Sequence, residues 1–262
     1  MFSYNPLWEP LFVEQDETLQ IGLGPLSVWI HRGANEWHIA HESESNEEHR
    51  CELDRSKGFP PRSDWTRWMI NNQIETIQLR PQLPDRPLIV RPEMPMCLMP
   101  KESVLFFVGI PLWLSISFGK HSHRATEIPT MRLSNSWFGS VTSGELCYAL
   151  KTTAKLHLEN LLPHAHRAIF PLEIRNSSPE KLNFERLCLH MRNLNIYQGQ
   201  NRMWTNRGRV TYRGEEKWSR IVYARNAPDF DQAKHLLSKA SETLQRGVLL
   251  QTFDSLKQLA DF

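Results

Sequence analysis

Three pairs of potential metal donors stand two residues apart: His121 and His123, His164 and His166, and Cys188 and His190. Alternate residues of a strand project from one face, so each pair offers two donors to a single ion. A structural zinc site ordinarily completes its shell through tight local motifs. The chain contains neither Cys-x-x-Cys nor His-Glu-x-x-His, and no metal or other cofactor is expected from these pairs.

A denser candidate is the polar, turn-prone stretch 127–148, in which Arg132, Asn135, Trp137, Glu145 and Tyr148 are the expected ligand-binding residues. The same residues also suit a plain hairpin: Gly139 and Gly144 permit the turn, Trp137 and Phe138 plug a core, and Arg132 pairs with Glu127 or Glu145. Glu127 and Glu145 together provide a carboxylate pair of the kind that glycoside hydrolysis uses, provided they face each other across a cleft.

Other chemistry has thinner support. The chain has no Gly-x-Ser-x-Gly elbow, and Cys147 lies in the apolar pattern 146–150, as expected of a buried small hydrophobe. Gly22, Gly24 and the glycines of 199–208 lack the strand-to-helix context of a phosphate loop. Arg202, Arg207, Arg209, Arg213 and Arg220 are interleaved with Trp204, Tyr212, Trp218 and Tyr223, which fits an RNA or anionic-headgroup patch. It equally fits the solvated face of antiparallel strands, diluted by Glu215 and Glu216. Trp65, Trp68, Trp137 and Trp204 are either stacking platforms or core.

Composition narrows these options. The 31 basic residues nearly balance 29 acidic ones, leaving a net charge of +2, so a nucleic-acid partner is not expected. The 262 residues suffice for a full core, and the widely spaced Cys51, Cys97, Cys147 and Cys188 read as free thiols. The first residues lack a basic leader and a long apolar run, and Gly109, Pro111 and two serines interrupt the most hydrophobic stretch, 104–118. No membrane span is expected, and the cytoplasm is the expected location.

The elements that must position these groups read as strands. In 112–118, Leu112, Leu114, Ile116 and Phe118 alternate with Trp113, Ser115 and Ser117. Similar patterns predict strands at 18–22, 26–31, 36–41, 74–79, 88–91 and 104–108, then 147–158, 168–175, 182–189, 194–197, 209–212 and 218–223. Antiparallel pairing is the natural order. A short helix is expected over 231–239, and another segment with Val248, Leu249, Phe253, Leu256 and Leu259 at helical spacing. The charged run 42–57 reads as loose. The predicted fold is an all-β antiparallel sandwich, a single globular unit over 1–262 that is possibly two-lobed at 119–126, closed by a short C-terminal helix.

Several strings resemble a prokaryotic family of unknown function, the domain-of-unknown-function family numbered 432. They are 88–93 (Leu-Ile-Val-Arg-Pro-Glu), 108–113, 127–134, Trp137-Phe138-Gly139, 144–148 and 166–171, with Ile174-Arg175-Asn176 and Met203-Trp204-Thr205 further on. The resemblance covers the chain from about Trp8 onward and implies no established activity. The expected function is a non-catalytic module binding a small molecule or a protein partner, with a homodimer plausible. A carboxylate-pair hydrolase and nucleic-acid binding through 202–225 are the alternatives.

Overall fold

The computed structural model describes residues 6–43, 49–58, 64–70, 74–119, 123–142, 144–150, 154–214, 219–241, 249–250 and 253–254. Among them the protein is all-β, with mainly antiparallel sheets and two single-turn 3₁₀ segments at Pro6–Trp8 and Leu158–Asn160. None of the described helices is long and apolar enough to cross a membrane. The chain builds two compact units, one from residues 1–82, 111–132 and 164–167, the other from 83–110, 133–163 and 168–262.

In the first unit, an antiparallel five-stranded sheet runs in the order Cys51–Lys57, Glu17–Leu23, Leu26–Arg32, Glu36–Ser43, Thr66–Met69. Cys51–Lys57 belongs to the run predicted to be loose. It is an edge strand, and charge on an exposed edge is what keeps such strands from pairing with other chains. A four-stranded sheet orders Leu11–Phe12, Thr76–Gln82, Trp113–Phe118 and His123–Pro129. The predicted alternation of Trp113–Phe118 is real, but Ser115 and Ser117 on its other face are buried too.

His31 and His38 face each other across the hairpin of the five-stranded sheet and are both buried. His31 Nδ1 lies 2.9 Å from the Thr18 hydroxyl, which donates to the Gly58 carbonyl. Burial holds both imidazoles below their ordinary value of 6.5, against the pull of Asp16 on His31 and of Glu36 on both; Arg67 and the neighbouring imidazole act with burial. An unfolded chain takes up these protons at about pH 6.5, and the folded one only lower. Stability should therefore be full above pH 6.5 and fall as pH drops through it, by up to ~1.4 kcal/mol per pH unit for each imidazole. Urea midpoints at pH 7.5 and 5.5 measure this, and His38→Gln should flatten the difference.

The second unit holds an eight-stranded sheet, in the order His235–Ser238, Ile196–Gln198, Met203–Thr205, Arg167–Asn176, Gly208–Tyr212, Ser219–Tyr223, Leu249–Leu250, with Ser103–Pro111 also pairing Arg167–Asn176. Pairing departs from the antiparallel expectation here: Arg167–Asn176 runs parallel to both Met203–Thr205 and Gly208–Tyr212. A five-stranded sheet orders Ser134–Phe138, Glu145–Ala149, Leu88–Val90, Arg186–Leu189 and Phe253–Asp254, and its Glu145–Ala149 and Leu88–Val90 pair is also parallel. Met96–Leu98 pairs with Leu182–Phe184. One core contains Leu88, Val90, Phe106, Val108, Phe170, Leu172, Ile174, Phe184, Leu187 and Val210.

The remaining sequence expectations in this unit are corrected by its packing. The predicted strand 147–158 ends at Ala149, and Ala154 and Lys155 make only isolated bridges, to Pro92 and Phe107. The predicted strand 182–189 breaks at Glu185 into strands of two different sheets. The predicted helix 231–239 is absent. Asp231 and Gln232 take positive φ (52° and 51°), which no right-handed helix tolerates, and His235–Ser238 is a strand. Leu249–Leu250 and Phe253–Asp254 are strands as well, while Val248, Leu256 and Leu259 lie outside the described residues.

Candidate functional site

The hairpin Ser134–Phe138 and Glu145–Ala149 pairs Asn135 with Tyr148, Trp137 with Leu146, Ser136 with Cys147 and Phe138 with Glu145. Because strand residues alternate, Asn135, Trp137, Leu146 and Tyr148 share one face, while Ser136, Phe138, Glu145 and Cys147 share the other. The expected ligand-binding set is thus divided. Asn135, Trp137 and Tyr148 are together, Glu145 is on the opposite face, and Arg132 is an exposed residue of the first unit.

On the first face, Arg86 Nη1 donates to Asn135 Oδ1 (3.1 Å), and its guanidinium lies 5.4 Å from the centre of the Tyr148 ring. The Tyr148 hydroxyl donates to Asp85 Oδ1 at 2.9 Å, and burial together with that carboxylate pushes its pKa up. Trp137 is 48% exposed with its indole N–H on the Ser140 carbonyl, and its partner Leu146 is 43% exposed.

The other face carries the denser chemistry. Cys188 sits opposite Ile89 across the Arg186–Leu189 and Leu88–Val90 pair, and His190, two residues on, extends the same face. Here Cys147 Sγ and Cys188 Sγ are 3.7 Å apart, Cys188 Sγ is 3.5 Å from Glu145 Oε1, and His190 Nε2 is 3.0 Å from Glu145 Oε2. Both thiols are fully buried against Ile89 and Phe138, whereas the side chains of His190 and Glu145 are 21% and 40% exposed. The donor atoms of Glu145, Cys147 and Cys188 lie within 4.8 Å of one another, the metal-competent group found among the described residues.

The thiols share a hydrogen bond that sets their acidities apart. The contact with the Cys188 thiol lowers the Cys147 pKa, against burial and the Glu145 carboxylate. The same contact, together with burial and the Glu145 carboxylate to which the Cys188 S–H donates, drives Cys188 far upward. The Tyr223 hydroxyl donates to the His190 carbonyl (2.8 Å), which anchors the backbone from which the imidazole projects.

The sequence offered half of this arrangement. Cys188-x-His190 was one of three such pairs; its complement, Glu145-x-Cys147, has the same two-residue spacing on another strand. No local motif brings together two cysteines 41 residues apart in the chain. The two residues of the carboxylate pair fall in different units, each with a partner of its own. Glu127, in the first unit, accepts from Arg124 (2.7 Å), and Glu145, in the second, contacts His190. His164 stacks on His49 (ring centres 4.8 Å) and lies 5.3 Å from the His166 ring centre. His121 and the His123 side chain lie outside the described residues.

The basic patch is largely engaged. Arg207 and Arg209 both donate to Glu173 Oε2 (2.7 and 3.0 Å). Arg202 Nη1 reaches the Leu158 carbonyl and its backbone N–H bonds Asp231; burial lowers its pKa. Arg213 is exposed beside Gly214, and the Arg220 side chain and Trp218 lie outside the described residues. Of the candidate platforms, Trp204 is core, and Trp65 and Trp68 are half-buried, in ring contact with His38 and Phe118.

Comparison with the curated proteins and with the solved structures returns no match. The family model for a protein of unknown function, DUF432, matches residues 7–257, so the chain belongs to that family.

Proposed function

We propose that this chain is a non-catalytic binding protein whose ligand sits on the sheet face carrying Glu145, Cys147, Cys188 and His190. The supporting observation is the convergence of two thiols, a carboxylate and an imidazole from two strands onto one face. The arrangement does not suit nucleophilic catalysis. An activated nucleophile needs a base within hydrogen-bond reach and an open approach for substrate. Here His190 engages the carboxylate, and both thiols are buried under apolar side chains.

The second unit reads as a sandwich, because Phe170, Leu172, Ile174 and Val210 of the eight-stranded sheet share a core with Leu88, Val90, Leu187 and Leu189 of the five-stranded one. Paired free thiols suit a reducing compartment, consistent with a cytoplasmic location.

Hydrogen exchange tests the binding role. Protein as purified from cells is compared with the same protein unfolded, desalted and refolded. Extra protection of 145–149 and 186–190 in the first preparation is expected. Equal protection in both would remove the role.

A further inference from the structure

We propose that the ligand of this face is a single thiophilic divalent metal ion of the zinc class, bound by Cys147, Cys188, His190 and Glu145. The assignment rests on the binding role just described and names its ligand. Two thiolates on one tetrahedral zinc, each at ~2.3 Å, stand ~3.8 Å apart, and a thiolate and a carboxylate oxygen on it stand ~3.6 Å apart. The observed separations are 3.7 Å between the sulfurs and 3.5 Å from Cys188 Sγ to Glu145 Oε1. Two edges of a zinc tetrahedron thus already have their length, the donor atoms of Glu145, Cys147 and Cys188 lie within 4.8 Å of one another, and His190 joins them through its 3.0 Å contact with Glu145.

The competing explanation for two close sulfurs is a disulfide, and the topology opposes it. Cys147 and Cys188 lie on strands separated by Leu88–Val90. Strands flanking a third run ~9–10 Å apart, whereas a disulfide spans Cα atoms roughly 4–7 Å apart. The side chains meet over the intervening strand, a span that an ion between the sulfurs can bridge and a direct bond cannot.

The donor set selects the metal. Two sulfurs and an imidazole are soft to borderline ligands that disfavour magnesium and calcium and suit zinc. Both cysteines bind as thiolates, their protons passing to solvent. His190 Nδ1 is a buried ring nitrogen with no hydrogen-bond partner among the described residues. Tyr223 fixes the backbone of His190 rather than its ring, which makes Tyr223 a positioning residue. Glu145, the most exposed donor, is where the ion enters.

The test uses the full chain. Elemental analysis of the protein as purified is followed by Co(II) titration of the metal-free chain. One equivalent of cobalt should produce thiolate charge-transfer bands and the strong visible bands of tetrahedral geometry, and zinc should abolish both. Cys188→Ser should remove the charge-transfer bands and weaken zinc binding at least ~100-fold, and Glu145→Ala at least ~10-fold. Trp137→Ala and Cys97→Ser should change neither. If Cys188→Ser fails to fold, His190→Ala and the wild-type spectrum decide.

A cobalt spectrum without thiolate bands, or one unchanged by loss of Cys188 or His190, overturns the metal assignment. If exchange protection persists alongside that result, the face binds something other than a metal. If protection is absent as well, the binding role falls with it.

Discussion

Trp204→Ala should destabilise the second unit by about 4 kcal/mol, read as a lower denaturant midpoint with an unchanged slope. Trp204 is fully buried, stacks on Phe230 (ring centres 5.3 Å, 18° between planes) and meets Phe107 edge-on at 6.5 Å. Removing it leaves a cavity between rings that strand pairing prevents from closing. It also takes one donor from Asp231, whose carboxylate accepts from the Trp204 indole, the backbone N–H groups of Asn201 and Arg202, and the Asn201 amide. Trp204→Phe retains an aromatic ring against Phe230 while losing the N–H and the indole's second ring, and should cost about 1–3 kcal/mol. If the two variants prove equal, the N–H and the indole's second ring, lost in both, outweigh the ring that Phe keeps.

Gly24→Ala should cost the first unit at least about 3 kcal/mol. Gly24 has φ of +55° in the turn between Glu17–Leu23 and Leu26–Arg32, and an added Cβ would fall 2.3 Å from Nδ1 of His166, a fully buried ring. Strain and collision therefore act together, and the ring cannot retreat to solvent. Gly58→Ala serves as the comparison. Its φ is +88°, but nothing lies within 4 Å of the added Cβ, so it carries the backbone strain alone, about 1 kcal/mol. Thermal or urea unfolding of both variants tests the pair. Equal losses would mean that His166 yields and packing at the turn is loose.

The same asymmetry runs through the reading of the chain. Alternation in Trp113–Phe118 predicted its strand correctly, because side-chain period is a local consequence of strand geometry. The apolar spacing of the C-terminal segments pointed equally to a helix. The decision came from Asp231, which takes a left-handed turn while its carboxylate gathers donors from 201, 202 and 204. Propensity over a short window loses to so many distant hydrogen bonds. Parallel pairing of Arg167–Asn176 was likewise invisible, since no local signal records which strand will lie alongside.

By itself the sequence determined the all-β class and the family resemblance, and it singled out Glu145 and the Cys188-x-His190 pair. Those follow from residue type and short-range period, which the chain carries wherever it goes. The tertiary structure alone decided that Glu145 faces away from Asn135 and Trp137, that Glu173 occupies Arg207 and Arg209, and that Cys147 meets Cys188. Each is a relation between residues on or beside different strands. The physical reason is register: sliding one strand by one residue reverses which side chains share a face, and only packing of the whole sheet fixes that choice.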